Sequence, residues 1–270
     1  MNNDVYLNQV VQNHKQPNSY SSKETLVFRE IARYIQNWFD GFKYCQRNGP
    51  YISLEIQQSG SRAKGTAIKG KSDIDIFLAF SDPYGYFQLK ELYDSVFYEL
   101  KKHFGTVRKQ NVSIGLKYEG FDIDIVPARK VNSNEYSRLY DYYLWSNKRQ
   151  NKMLTNIHEH ISLVKNSGCI SEIILAKVWR EQKMIEFPSI LLELFVIEAL
   201  SRKCGQLNSF EERVDYMFHY FRDNIENKRI VDPGNSSNIL SDELNSAEKR
   251  AIKIAAQKAI DATSWLDVVK

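Results

Sequence analysis

Cysteine is scarce in this chain of 270 residues: Cys45, Cys169 and Cys204 are odd in number, scattered, and without metal-site spacing. That excludes a disulfide framework and a cysteine-rich metal ribbon, and predicts free thiols in a reducing compartment. Long apolar runs are also missing. The longest, Ile190 to Leu200, is broken by Glu193 and Glu198 and is shorter than the ~20 residues a bilayer span needs. No basic start with an apolar stretch and a small-residue cleavage site is read at the N-terminus, so the expected location is cytoplasmic, with no membrane partner. Charge of one sign is lacking as well. The 37 lysines and arginines against 33 aspartates and glutamates leave +4, which announces no nucleic-acid partner by itself. His158 and His160 stand two apart on an expected helix, on different faces, which argues against zinc there. The spacing Gly60…Gly65 lacks the lysine of a P-loop, because Thr66 takes its place. A hydrophobic content of 43% with 26% charged residues is that of a globular chain able to bury a core.

What is present is concentrated in residues 60–76, Gly-Ser-Arg-Ala-Lys-Gly-Thr-Ala-Ile-Lys-Gly-Lys-Ser-Asp-Ile-Asp-Ile. A small-residue turn leads into Asp73 and Asp75, spaced i, i+2 in an apolar run. On a strand these share one face, while Ile74 and Ile76 point into a core. Two like charges on one face repel, and a cation between them relieves this. The run Phe121-Asp122-Ile123-Asp124-Ile125-Val126-Pro127 supplies a second acidic strand. An exposed acidic edge strand would account for one aspartate pair. It does not account for the glycine turn and the second acidic strand together. Strand-borne carboxylates beside a phosphate-cradling turn are the parts of a two-metal nucleotidyl transfer site.

Residues 1–22 are polar and expected to be loosely held. Lys23 to Tyr44 predicts an amphipathic helix stopped by Asn48-Gly49-Pro50, with strands at 51–57 and 73–80, a helix at 86–104, and short strands around 106, 113–118 and 121–126. Beyond about residue 132 the pattern predicts helices almost throughout: 153–164, 171–182, 189–203, 209–226 and 246–264.

Gly60-Ser61, Gly65-Thr66, Ser72-Asp73-Ile74-Asp75-Ile76 and Asp124-Ile125-Val126-Pro127 resemble the polymerase-β-like nucleotidyltransferase superfamily. The resemblance is to the branch of oligoadenylate synthetases, cyclic GMP-AMP synthase, its bacterial relatives (CD-NTases) and archaeal-type CCA-adding enzymes. Leu175-Ala176-Lys177-Val178-Trp179 looks like that branch's Leu-Val-Lys-x-Trp helix, and Ser189-Ile190-Leu191-Leu192-Glu193-Leu194 like its Tyr-x-Leu-Glu-Leu helix, with Ile190 in place of the tyrosine. Ile230-Val231-Asp232-Pro233-Gly234-Asn235…Asn238 looks like its Asp-Pro-x-x-Pro-x-Asn segment, without the second proline. In order, these motifs cover roughly residues 25 to 262.

The resemblance implies an α+β fold: a polymerase-β-like lobe with a mixed sheet and helices (23–132) and a C-terminal helical lobe (133–270), with the active site in the cleft between. It implies Asp73, Asp75 and Asp124 as catalytic ligands of two Mg²⁺ ions, or Mn²⁺ in their place. Gly60 and Ser61 would hold phosphates, Lys177 would reach the triphosphate, and Ser189 is a further phosphate candidate. Arg62 and Lys64 would add charge to the cradle or simply solvate it. Asp122 shares a face with Asp124; the position before Ile-Val-Pro favours Asp124, leaving Asp122 an edge or supporting charge. The implied activity joins NTPs, ATP among them, into cyclic or linear oligonucleotide second messengers, with release of pyrophosphate and a role in antiviral defence. The alternative is an RNA or tRNA 3′-terminal nucleotidyltransferase like the CCA-adding enzymes, for which 270 residues leave no room for added RNA-binding domains. Small-molecule nucleotidylation and a catalytically dead nucleotide-binding module rank below both.

Overall fold

The computed structural model describes residues 2–17, 19–45, 52–71, 73–82, 85, 87–131, 141–201, 203 and 205–270, with the side chains of 42–45 left aside. The Asn48-Gly49-Pro50 stop, Ser72, the 132 boundary and Cys204 lie outside the described residues. In chain order the first elements are α1 (Asn3–His14), α2 (Ser22–Cys45), β1 (Ser53–Gln58), α3 (Gly60–Lys64), β2 (Ile74–Ser81) and α4 (Leu89–Phe104). Next come β3 (Val107–Lys109), β4 (Ile114–Tyr118), β5 (Phe121–Lys130), β6 (Tyr142–Ser146), β7 (Asn151–Thr155) and α5 (Ile157–Lys165). The remainder is α6 (Ile170–Gln182), α7 (Ser189–Ser201), α8 (Phe210–Asn224), β8 (Val231–Asp232), β9 (Asn235–Ile239), α9 (Ser246–Ile260) and α10 (Trp265–Val268).

Two compact units result. The sheet unit holds residues 17–63 and 72–161; the helical unit holds 1–16, 64–71 and 162–270. In the sheet unit the strands run β1-β2-β5-β4-β3, with β6 pairing β5 and β7 pairing β6. β2 and β5 are parallel, and the other pairings are antiparallel. The sheet follows from alternation: Ile74, Ile76, Ile123 and Ile125 are buried on one face, where α2 and α4 cover them. The α2 stripe is Val27, Ile31, Ile35 and Phe39, every fourth residue, while Leu26 is 64% exposed. The opposite face carries the aspartates and, further along, a smaller cluster of Phe77, Ala79, Ala128, Tyr142 and Leu144.

The helical unit packs α6–α9 around Trp179, Phe195, Phe218 and Phe221. Two departures from the sequence reading have physical causes. Residues 3–14 are a helix, not a loose tail: Leu7, Val10 and Val11 form an i, i+3, i+4 stripe buried in the helical unit, and Asn2 caps the first turn. The expected helix at 153–164 divides into β7 and α5. Asn156 turns the chain, accepting from the Glu159 N–H at 3.0 Å, so that β7 extends the sheet well beyond the expected boundary at 132. Among the described residues no helix is long and apolar enough to cross a membrane.

Candidate active site

The register of two neighbouring strands builds the acidic face. β2 and β5 run parallel with Asp75 directly beside Asp124 and Ile74 beside Ile123. Residues paired across a sheet share a face, so the two carboxylates project together while the isoleucines anchor the strands below. Asp73 immediately precedes β2, and Asp122 lies two residues before Asp124 on β5. Burial first, and then the Asp122 charge, raise Asp73 above its ordinary carboxylate value, against Arg108 and Lys117. Asp124 is raised by burial and then by Asp73, although Gln110 and Arg108 pull it back. Asp122, half-buried as a residue, is paired with Lys117 across β4–β5 at 3.3 Å.

The glycine turn meets this face directly. Gly60 opens α3 in the left-handed region, at φ 65°, and a Cβ built there would fall within the Asp75 carboxylate. Only glycine allows both the backbone conformation and the close approach. Gly60→Ala is therefore expected to cost about 1–2 kcal/mol from the backbone alone, with a further loss from displacing Asp75. Urea unfolding beside a turnover assay checks this; a Gly60→Ala protein with wild-type stability and turnover would show that the cradle is unimportant.

Asp73, Asp75, Asp124 and Gly60 thus lie in one unit. The donor set is hard carboxylate oxygen, which suits Mg²⁺ or Mn²⁺; Asp73 and Asp124 are raised first by burial and then by a neighbouring carboxylate, and a cation would offset both. Among the described residues, no group of three or more histidine, cysteine, aspartate or glutamate side chains is placed so as to hold a metal ion by itself.

The basic candidates have partners of their own. Arg62, 2% exposed, is ion-paired with Glu24 and donates to the Pro17 and Ser19 carbonyls at 3.2 and 3.4 Å. Of the two alternatives the sequence offered for Arg62, a charge in the cradle or a solvating side chain, its burial excludes the second. Lys177, 3% exposed, donates to Glu193 Oε1 at 2.6 Å and to Thr66 Oγ1 at 2.9 Å within the helical unit. Lys64 donates to Glu193 Oε2 at 2.8 Å. Burial pushes Glu193 up, but Lys177 and Lys64 prevail and hold it down at about 2; burial pulls Lys177 below the ordinary lysine value in spite of Glu193. Ser189 starts α7, where its hydroxyl accepts from Arg180 at 2.9 Å. Asp232 closes the β8–β9 turn, accepting from the Gly234 N–H at 2.8 Å and from Asn238 at 3.1 Å. Glu193 and Glu24 were missed as network centres. The only signal for them in the sequence is an acidic residue inside an otherwise apolar or amphipathic helix.

Residues 42–164 match the model of a family described as the nucleotidyltransferase domain. The chain is 28% identical over 224 residues to a cyclic AMP-AMP-AMP synthase of Escherichia coli (strain MS 115-1), covering 76% of this chain and 67% of that protein. It is 25% identical over 200 residues to a CCA-adding enzyme of Methanosarcina barkeri (strain Fusaro / DSM 804), covering 66% of this chain but only 40% of that enzyme. The structure of E. coli MS115-1 CdnC with ATP superposes with a TM-score of 0.70 at 23% identity, covering 96% of this chain and 90% of that one. That likeness establishes the fold.

Proposed function

We propose that this chain is a member of the polymerase-β-like nucleotidyltransferase superfamily, in the branch of CD-NTases and CCA-adding enzymes, and that within it the chain makes cyclic or linear oligonucleotide messengers from NTPs. The observation that carries this reading is the in-register Asp75–Asp124 pair with Gly60 seated against Asp75. Asp73 and Asp75 would hold both cations, and Asp124 would share the cation nearest the attacking hydroxyl. When bound, the two Mg²⁺ ions supply charge neutralisation at the triphosphate and acidify that hydroxyl. The Gly60 amide region and the Ser61 hydroxyl receive phosphate oxygens, and Asp124 favours the alkoxide by its negative charge. Transfer joins the hydroxyl oxygen to the α-phosphorus as the bond to pyrophosphate breaks.

The cyclic AMP-AMP-AMP synthase and the CCA-adding enzyme define the two acceptors to be separated: an NTP-derived hydroxyl or an RNA end. The first is favoured because that relative matches more of this chain and this chain matches more of that relative. The test is incubation with four labelled NTPs and Mg²⁺ or Mn²⁺, with and without tRNA, beside Asp73→Ala/Asp75→Ala. Small phosphatase-resistant products formed without RNA, and absent from the variant, are the expected result. Label entering only tRNA would overturn the messenger reading in favour of terminal transfer.

A further inference from the structure

One row of residues crosses the sheet at the level of the carboxylates. Asp75 on β2 pairs with Asp124 on β5, Asp124 with Gly115 on β4, and Gly115 with Arg108 on β3. Residues paired across strands share a face, so Arg108 rises from the face of the two aspartates, two strand spacings or roughly 10 Å from Asp124. The neighbouring row shows the alternation: Val107, Leu116 and Ile123 pair in register and pack in the core on the other side. Gly115 leaves the row without a side chain between Asp124 and Arg108. A Cβ built there would lie 2.7 Å from Gln110 Nε2, 3.0 Å from Arg108 Nε and 3.3 Å from Arg108 Cγ. The Arg108 side chain therefore leans over the glycine, in the direction of Asp124. Ser113 donates to the side-chain oxygen of Gln110, which fixes that amide with its nitrogen over the same gap.

Arg108 is exposed, and among the described residues no hydrogen bond or ion pair engages it. Its basic neighbours are spoken for: Lys109 pairs with Asp94, and Lys117 with Asp122. An unengaged guanidinium is a planar fork of donors that suits phosphate oxygens. Its place in the row says which phosphates. The Gly60 turn abuts Asp75 at one end, whereas Arg108 stands beyond Asp124 at the other, on the side of the attacking hydroxyl. We infer that Arg108, with Gln110 beside it, binds the acceptor nucleotide through its phosphates, and that Gly115 keeps the row open for that nucleotide. This deepens the nucleotidyltransferase reading and rests on the acceptor being an NTP. The rival reading is a guanidinium that merely offsets the carboxylates, since its charge pulls down both Asp73 and Asp124.

The test separates donor from acceptor in the full chain with Mg²⁺. A labelled dideoxy-NTP lacks both ribose hydroxyls and can only donate; an α,β-methylene-NTP cannot release pyrophosphate and can only accept. The bases are those the wild type incorporates. In Arg108→Gln the KM for the accepting analogue should rise roughly tenfold or more, the effect of losing a hydrogen bond to a charged group. The donor KM should stay within about threefold, as for a surface charge, and the urea midpoint should not move. Arg108→Lys, which keeps the charge and loses the fork, should fall between. The advantage of the analogue over the parent nucleoside as acceptor should shrink by the factor by which the KM rises. An unchanged acceptor KM, equal rises in both KM values, or an undiminished advantage overturns the role of Arg108 and leaves the nucleotidyltransferase reading standing. If the wild type joins no dideoxynucleotide to the analogue, the NTP-acceptor reading falls, and this inference with it.

Discussion

Asp124→Asn is expected to lower pyrophosphate release by roughly a thousandfold or more, about 4 kcal/mol of transition-state stabilisation, while Asp122→Asn stays within about threefold of wild type. The two aspartates are two residues apart on β5 and share a face. They differ in their neighbours. Asp124 stands in register with Asp75 and is raised by burial and by Asp73, so it contributes to a concentrated negative field. Asp122 is 44% exposed at its side chain and spends its charge on Lys117 at the sheet surface. Asparagine is nearly isosteric in both cases, so the contrast reads charge and not packing. Removing one of several repelling carboxylates should leave stability unchanged or slightly higher, which separates lost chemistry from lost fold. The measurement is initial-rate pyrophosphate release with a thermal melt for each variant. Equal losses in the two variants would mean that the reacting groups are not organised by the β2–β5 pairing.

Much of that face was legible because a strand has a period of two: Asp73, Asp75, Asp122 and Asp124 alternate with isoleucines, and the isoleucines are buried. The register that sets Asp75 beside Asp124 was not, since pairing between strands some fifty residues apart is decided by the crossover and the packing of α4. The first helix was hidden by composition. Asn and Gln dominate residues 2–16, and the three residues that matter, Leu7, Val10 and Val11, stand out only as a spacing. In the stretch at 153–164 an apolar pattern fits strand and helix alike, and Asn156 decides where one stops and the other begins. The partners of the basic residues were not legible, for one shared reason. A lysine or arginine near a phosphate-like motif suggests an anion, but whether a carboxylate from a distant helix has already claimed it depends on tertiary packing alone.

Glu193→Gln is accordingly expected to cost about 3–5 kcal/mol at neutral pH, because it leaves a buried cation without its counter-charge. Glu193 is 1% exposed and takes hydrogen bonds from Lys177 at 2.6 Å, Lys64 at 2.8 Å and Thr66 at 2.9 Å. Lys177→Met should cost less, since Lys64 still neutralises Glu193. Combining the two changes should recover part of the loss, as contacting residues are not additive. The pH dependence has a definite sign. The Glu193 carboxyl titrates near 4.5 when solvated and at about 2 in the fold, so its contribution is complete above the first value and disappears as pH falls toward the second. Wild type should lose stability across that window, and Glu193→Gln should lack that part of the slope. Urea unfolding followed by circular dichroism, at pH 7 and at steps through the window, measures both. The same variants decide what Lys177 does. Lys177→Met with a lowered urea midpoint and an unaltered KM for NTP assigns it to holding Thr66 and Glu193. A wild-type midpoint with a raised KM would return it to the triphosphate.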